Sequence, residues 1–233
     1  LSVGNLFAQD ANADKLREEG DAAMTAKNYP EVVAKYSEYL KLTNYEDESR
    51  VFNCAFAAYN AKKYDDAIKF YDMAIQKGYK TDDAYVGKAM SLRSQDKAAD
   101  FTATVEAGLK ANAQNANLEK LLYAYCMKKG QAAQKAGKTE EAEELFKDVL
   151  VVGNAKYKGN ALYSLGVMFY NAGAKILADA NPIATSDPDK YAAEKKKADA
   201  QMAKAKGYLE QAIALNAADA NSKKILDAIN AAK

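Results

Sequence analysis

The sequence contains no histidine and no tryptophan among its 233 residues. Histidine is the most frequent general base and a principal metal ligand, so its absence excludes a His/Cys zinc site and a Ser-His-Asp triad. No glycine-rich loop of the kind that holds phosphate groups occurs either. We therefore expect a protein that is not an enzyme and binds no cofactor or metal, with a lysine or paired-carboxylate mechanism as the remaining enzymatic alternative.

The chain also lacks an excess of either charge and any long apolar run. Its 33 basic and 32 acidic side chains nearly cancel, so no long-range positive field attracts nucleic acid or anionic lipid. No uncharged apolar stretch reaches the length of about 18 residues that a transmembrane helix requires. The composition thus predicts no nucleic-acid partner and no transmembrane segment.

Only three prolines interrupt a sequence rich in the strong helix formers alanine, lysine, glutamate and leucine, which favours an all-α fold. Within it an apolar pattern recurs about every 34 residues. Its four copies are Tyr29, Val32, Tyr36 and Tyr39; Tyr64, Ala67, Tyr71 and Ala74; Ala98, Phe101, Val105 and Gly108; and Thr139, Ala142, Phe146 and Val149. Such a period indicates a solenoid of helix pairs, in which each unit buries its apolar face against its neighbours.

A small residue lies twelve positions before the second member of each copy. These residues are Gly20, Ala55, Ala89 and Gly130, and Gly166 continues the series. We interpret them as the points where the two antiparallel helices of a unit approach closely. A short polar turn, such as Lys62-Lys63-Tyr64-Asp65, separates the two helices.

The period fails twice toward the C-terminus. About seven extra residues precede Gly130, and we place them in a lengthened first helix from about Asn117 to Ala136. In the fifth unit about 27 residues are inserted between Gly166 and Ala205. Both flanks of that insertion have helical patterns, so we expect the two helices of this unit to extend into a projecting hairpin.

The predicted organisation has three parts. Residues 1–11 form an N-terminal tail or the remnant of a signal peptide, residues 12–216 the solenoid, and residues 217–233 a capping helix. The units of the solenoid cover about 13–46, 48–80, 82–112, 117–153 and 158–216, with the inserted hairpin at about 173–204. Cys54 and Cys126 fall two units apart, so we expect them to be buried and not bridged, with a reactive thiol as the alternative.

This register resembles the tetratricopeptide repeat (TPR), a 34-residue helix-turn-helix unit. The most typical stretch is CAFAAYNAKKYDDAIKFYDMAI, from Cys54 to Ile75, and ALYSLG from Ala161 to Gly166 is also similar. The resemblance implies a right-handed superhelical solenoid of about five repeats whose concave groove, lined by the first helices, binds a peptide or protein segment. One subgroup holds acidic C-terminal tails with a clamp of Lys, Asn, Asn, Lys and Arg. Those places hold Arg17, Asp21, Asn53, Asp83 and Gly87 here, so the resemblance does not support tail binding.

The register predicts which side chains line the groove and could contact a partner. They are Arg17, Asp21, Met24, Phe52, Phe56, Tyr59, Met90, Arg93, Met127, Gln131, Tyr163 and Tyr170, with Val86, Gln134 and Val167 between them. Aromatic and methionine side chains supply adaptable apolar contact. The alternative is a groove filled by the chain itself, in a structural module that homo-oligomerises through the projecting hairpin. Lys195, Lys196, Lys197, Lys204 and Lys206 are interpreted as a solvated helix face, with an anion site as the alternative.

The first nine residues carry no charge, and the chain turns polar at Asp10. With Ala8 as the small residue before cleavage, this resembles the end of a secretory signal. We therefore expect a periplasmic or secreted protein. The alternatives are an apolar tail that packs on the first helix and a cytoplasmic location.

Overall fold

The computed structural model describes the backbone from Val3 to Ala231 and the side chains from Asp10 to Ala231. Within this range the chain folds into eleven α-helices and no strand. The helices are α1 (Val3–Thr25), α2 (Tyr29–Leu42), α3 (Glu48–Asn60), α4 (Tyr64–Lys77), α5 (Thr81–Ser94), α6 (Ala98–Ala111), α7 (Ala116–Lys135), α8 (Thr139–Asp148), α9 (Ala155–Ala180), α10 (Pro188–Leu215) and α11 (Ala220–Ala231). The predicted all-α fold of helix-turn-helix units is confirmed.

The turn inside the first four helix pairs has one repeated geometry. One residue takes a left-handed conformation two positions before the second helix: Lys27, Lys62, Asp96 and Gly137. The next amide then donates to a carbonyl five residues back, as Lys63 N does to Ala58 O at 2.8 Å. This is the Schellman arrangement, which satisfies carbonyls left free at a helix end. The polar turns in the sequence therefore both end one helix and start the next.

The chain divides into two compact units, one up to Leu118 and one from Glu119 onward, a division that the sequence pattern did not predict. In the first unit each helix packs mainly against the helices beside it in the chain. The core packs most tightly where a large side chain on the second helix of a repeat contacts a small residue on the first helix of that repeat. A Cβ atom at Gly20, for example, would lie 2.4 Å from the Tyr36 ring.

The second unit contains the longest helix pair. Helix α9 has 26 residues and α10 has 28, whereas α3 and α5 have 13 and 14. They pack on each other at two glycines, since a Cβ atom at Gly166 would lie 2.6 Å from Leu209 and one at Gly173 would lie 3.1 Å from the carbonyl oxygen of Ala198. Helix α10 starts with Asp187, whose side chain accepts from Lys190 N at 3.1 Å, followed by Pro188.

Both ends of the described chain are helical. Helix α11 packs against α10 and α9 with Ile229 buried and Ile225 and Leu226 half-buried. At the other end α1 begins at Val3, so the segment predicted as a tail overlaps this helix. The side chains of residues 1–9 lie outside the described residues, and the export hypothesis stays a prediction.

Two glycines of α9, Gly166 and Gly159, allow a matched test of the close packing between α9 and α10. We expect Gly166→Ala to lower the free energy of unfolding by about 1–3 kcal/mol, because the new methyl group overlaps Leu209. Gly159→Ala, where nothing lies within 4 Å of the new Cβ, should raise it by about 0.5–1 kcal/mol through helix propensity. Urea unfolding of both variants measures the difference. Equal effects of the two substitutions would contradict the packing argument.

Candidate protein-binding surfaces

An aromatic patch on the first unit contains two of the predicted groove residues. The Phe56 ring lies edge-on to Tyr29 at 5.9 Å between centroids, and the Tyr59 ring lies 5.9 Å from Tyr64. We call these four residues the aromatic patch. Phe56 is 42% exposed, one of three large hydrophobic side chains that are exposed among the described residues.

Sequence reasoning missed two members of this patch. Tyr29 and Tyr64 each begin a second helix, and both are half-buried. They occupy equivalent positions of two successive repeats, and this equivalence was the available signal. Because only first-helix residues were considered for the groove, the prediction stopped at Phe56 and Tyr59.

Phe52 serves packing rather than an open surface. Its ring is edge-on to Tyr71 at 5.7 Å and to Tyr79 at 6.2 Å, and Lys80 Nζ lies 5.1 Å from its centroid. Tyr71 is buried, which raises the pKa of its hydroxyl well above the ordinary value. Phe52 therefore takes part in the contact between α3 and its neighbours while remaining half-buried.

The predicted groove residue Asp21 belongs to an ionic network centred on Arg50. Arg50 donates to both carboxylate oxygens of Asp21, at 3.1 Å from Nε and 2.6 Å from Nη2, and to Asp47 at 2.8 Å from Nη1. Tyr36 donates to Asp21 at 2.6 Å and Tyr39 donates to Asp47 at 3.0 Å. Asp47 also accepts from the backbone N–H of Arg50 at 3.0 Å, which caps α3. The network thus ties α1 and α2 to the start of α3.

The two carboxylates of this network are held in the ionised form. Burial alone would raise the pKa of Asp21, but hydrogen bonds from Arg50 and Tyr36 outweigh it and leave the pKa below its usual value. The pKa of Asp47 is also lowered, because hydrogen bonds to Arg50 and Tyr39 outweigh the effect of its burial. Burial and the hydrogen bond to Asp21 raise the pKa of Tyr36.

The places of the carboxylate clamp are not arranged to hold an acidic tail. Asp21 is an anion that Arg50 already neutralises. Gly87 has no side chain, and a Cβ atom there would lie 2.1 Å from the Tyr71 ring. Asp83 is exposed and would add a second negative charge. This geometry agrees with the sequence, which has no cation at the last two clamp positions.

The remaining predicted residues of the first unit are partly accessible. Met24 is half-buried against the core cluster, and Met90 and Arg93 of α5 are half-buried. Arg17 pairs with Asp14 at 3.1 Å on the surface of α1. Val86 is half-buried as well. None of these residues has the exposed aromatic area of Phe56.

In the second unit the predicted groove residues differ in their accessibility. Met127 is buried at 9% exposure, so the expectation that it lines an accessible groove is corrected: its side chain packs inside the unit. Gln131 is exposed, and Gln134 and Val167 are half-buried. Tyr163 lines a cavity of about 390 Å³ beside Leu215, which is 40% exposed.

Tyr170 lines a larger cavity of about 710 Å³ on the long hairpin, which we call the hairpin groove. Helix α9 contributes Tyr170, Ala174, Leu177 and Ala178, with Asn181 directly after its end; α10 contributes Lys195, Asp199, Met202, Ala203 and Lys206, and α11 contributes Ala228 and Ile229. The sequence analysis placed only Tyr170 in a binding surface and treated the lysines of α10 as a solvated face. The missed signal is the shared spacing, i, i+4, i+7, i+8 and i+11, on both helices.

Cys54 and Cys126 are buried and free, as predicted, and burial raises the pKa of each thiol to about 12. Between Val3 and Ala231 no group of three or more acidic, cysteine or histidine residues could hold a metal ion. The same part of the chain contains no helix with the length and apolar character of a membrane span.

Consecutive helical hairpins that present aromatic and apolar surfaces define a helical-repeat module for protein contact. A solved structure of a TPR repeats protein from Bacteroides fragilis NCTC 9343 is similar over nearly the whole length. It is 44% identical, the match covers 95% of this chain and 99% of that one, and the TM-score is 0.88. The chain therefore belongs to the tetratricopeptide repeat family, whose members are in general protein-interaction scaffolds without catalytic activity.

A curated relative is the Hsp70-Hsp90 organizing protein 1 of Glycine max, 30% identical over 154 residues. The match covers 63% of this chain but 26% of that protein, so the chain spans about a quarter of its relative's length. No family model matches the chain. The membership therefore follows from the full-length likeness to the Bacteroides fragilis protein and from the repeat register.

Replacement of Arg50 tests whether the Asp21 network stabilises the first unit. Arg50→Lys keeps the charge but loses the fork that holds two carboxylates, so we expect a loss of about 1–2 kcal/mol in unfolding free energy at pH 7. Arg17→Lys, which changes a surface pair, should cost less than about 0.5 kcal/mol.

The same pair of variants has an expected pH dependence. The pKa values of Asp21 and Asp47 are lowered on folding, so their stabilising contribution is complete above the unfolded value of about 3.9 and is lost as the pH falls through the folded values. The deficit of Arg50→Lys should therefore shrink below about pH 4. Denaturation between pH 3 and 7 measures it, and a constant deficit would show that Arg50 acts through packing alone.

Proposed function

We propose that the protein is a non-enzymatic scaffold that binds an apolar segment of another protein at the aromatic patch of its first unit. The exposure of Phe56 carries this proposal. The side chain is 42% exposed and is bordered by Tyr29, and Tyr59, three residues further along α3, packs beside Tyr64. Aromatic residues dominate the energetics of protein interfaces because they supply a large area at a low entropic cost.

The chemistry of the surface indicates the kind of segment that fits. The patch contains four rings and no charged group, and Met24 and Met90 on the neighbouring first helices are half-buried. Apolar side chains of a partner would lose their contact with water against these rings. An acidic C-terminal tail does not fit, because Asp21 is already paired and Asp83 would repel it.

Homo-oligomerisation through the long hairpin is the alternative hypothesis. It requires a surface on α9 and α10 that contacts a second copy of the chain, and it makes the aromatic patch irrelevant to assembly. Sedimentation of the full chain without ligand distinguishes the two hypotheses. Homo-oligomerisation predicts a mass above that of the monomer, whereas peptide binding at Phe56 requires no such increase.

We also propose that the protein acts in the cell envelope, on the basis of the uncharged residues that precede Asp10. Fractionation of the source cells, with antibodies against the chain, should recover it with periplasmic or secreted proteins. Recovery with the cytoplasmic fraction would contradict export.

Loss of the Phe56 ring should abolish binding. We expect peptides selected on the full chain from a displayed library of random 16-residue sequences to be rich in apolar residues. Their affinity for Phe56→Ala should be at least tenfold weaker, which is about 1.4 kcal/mol or more. Fluorescence anisotropy with the labelled peptides measures the affinity.

Leu215→Ala provides the matched control. Leu215 is 40% exposed, almost as exposed as Phe56, but lies in the second unit. The selected peptides should bind this variant as they bind the unmodified chain. Equal affinity for Phe56→Ala and the unmodified chain, at unchanged thermal stability of the variant, would refute the assignment of the patch.

A further inference from the structure

The hairpin groove is a second surface, separate from the aromatic patch and formed by the insertion in the fifth repeat. Each of its two long helices contributes a stripe at the same spacing, from Tyr170 to the C-cap residue Asn181 of α9 and from Lys195 to Lys206 on α10. The close contact of Gly173 with Ala198 and Met202 fixes the two helices beside each other behind this face. The groove is therefore bounded by two rigid elements.

Helix α11 covers only part of the long helix pair. It turns back after Leu215 and is 12 residues long, so it spans about 18 Å of the 42 Å of α10. Ala228 and Ile229, in its last turn, line the groove. The uncovered face thus continues the surface on which the chain's own α11 packs, which indicates that a further helix fits there.

The shape of the groove agrees with a single helix. The stripe from Tyr170 to Asn181 is about 16 Å long, and a helix of that length with a diameter of about 10 Å occupies about 1,300 Å³. The groove has a volume of about 710 Å³, so it would take about half of the helix cross-section. A second hairpin groove, being equally concave, would not fill this one.

The floor of the groove favours a helix over an extended segment. Ala174, Leu177, Ala178, Met202 and Ala203 offer no side-chain hydrogen-bond donor. An extended segment would bury backbone polar groups without partners on this floor, whereas a helix satisfies its own. The three alanines also let a helix approach closely.

The charges at the rim indicate the polarity of the partner. The charged residues that line the groove are Lys195, Lys206 and one carboxylate, Asp199, all on α10. Asp199 is paired with Lys195 at 2.8 Å, and Lys206 is 3.8 Å from Glu210 at an exposed position. Acidic residues on the flank of a partner helix would face these two lysines, which leave the rim with a net positive charge.

We propose that the hairpin groove binds an amphipathic α-helix of another protein. The helix presents an apolar stripe of about three turns to Leu177, Met202 and the alanines, and acidic residues about 11 positions apart to Lys195 and Lys206. This site is independent of the aromatic patch. It requires no change in the fold, since both stripes are already in place on α9 and α10.

A synthetic helix tests the proposal on the full chain. The probe is a labelled 18-residue peptide of alanine and glutamine with leucine at i, i+4, i+7 and i+11 and with glutamate at the two ends of the stripe. We expect saturable binding in the micromolar range by fluorescence anisotropy. A peptide of the same composition with its leucines distributed around the helix should bind at least tenfold more weakly, because it presents no stripe.

Two substitutions on one helix separate the groove from the rest of α10. Ala203→Phe fills the groove from an exposed position and should weaken probe binding at least tenfold, whereas Ala200→Phe, exposed but outside the lining, should change it less than twofold. The double variant Lys195→Glu, Lys206→Glu should bind more weakly, and added salt should strengthen its binding, because the glutamates of the probe then face like charges. Phe56→Ala should bind the probe normally, which separates this test from that of the aromatic patch.

Several results would overturn the proposal. These are the absence of saturable binding below about 100 μM, equal binding of the two peptides, and equal binding by Ala203→Phe. A dimer in sedimentation that Ala203→Phe dissociates would assign the groove to a second copy. Binding to phosphatidylserine vesicles that Ala203→Phe abolishes would assign it to a membrane surface.

Discussion

The close approach of the two helices in each repeat is the constraint on which the rest of the structure depends. It needs a small residue on the first helix and a large one on the second, as in the pairs Gly20 with Tyr36 and Gly130 with Phe146. The members of each pair are 16 residues apart, so the end of the first helix, the turn and the start of the second helix together have the same length in both repeats. Because large side chains of the second helices fill this space, the first helices are free to carry rings such as Phe56 on their outer face.

The Arg50 network uses a position for stability that the register places on the binding surface. By register Asp21 belongs to the surface that a ligand would contact, yet its carboxylate is held by Arg50 and Tyr36. The bidentate contact links two successive repeats, so this position acts in the stacking of the repeats. Phe52 is used in the same way through Tyr71. The accessible apolar area of the first unit is consequently concentrated at Phe56 and its neighbours.

Sequence periodicity predicted the fold more fully than the surfaces, for a physical reason. Positions such as Gly20 and Tyr36 are restricted in size by packing, and the restriction repeats with the period. Groove positions have no such restriction, so the register alone could not show that Met127 is buried or that Asp21 is paired. Those facts depend on which side chain of a neighbouring helix reaches the position, and Arg50 has no repeated counterpart that would reveal it.

The fifth repeat shows what an insertion achieves in this architecture. The 16-residue relation is interrupted, but Gly166 still meets Leu209 because the added residues extend both helices of the pair. Extension of a helix pair creates new faces on both sides, and in a repeat protein the next helix covers such a face. Here α11 ends at Ala231, after 12 residues. The groove between α9 and α10 beside Ile229 therefore follows from the lengthening of this helix pair.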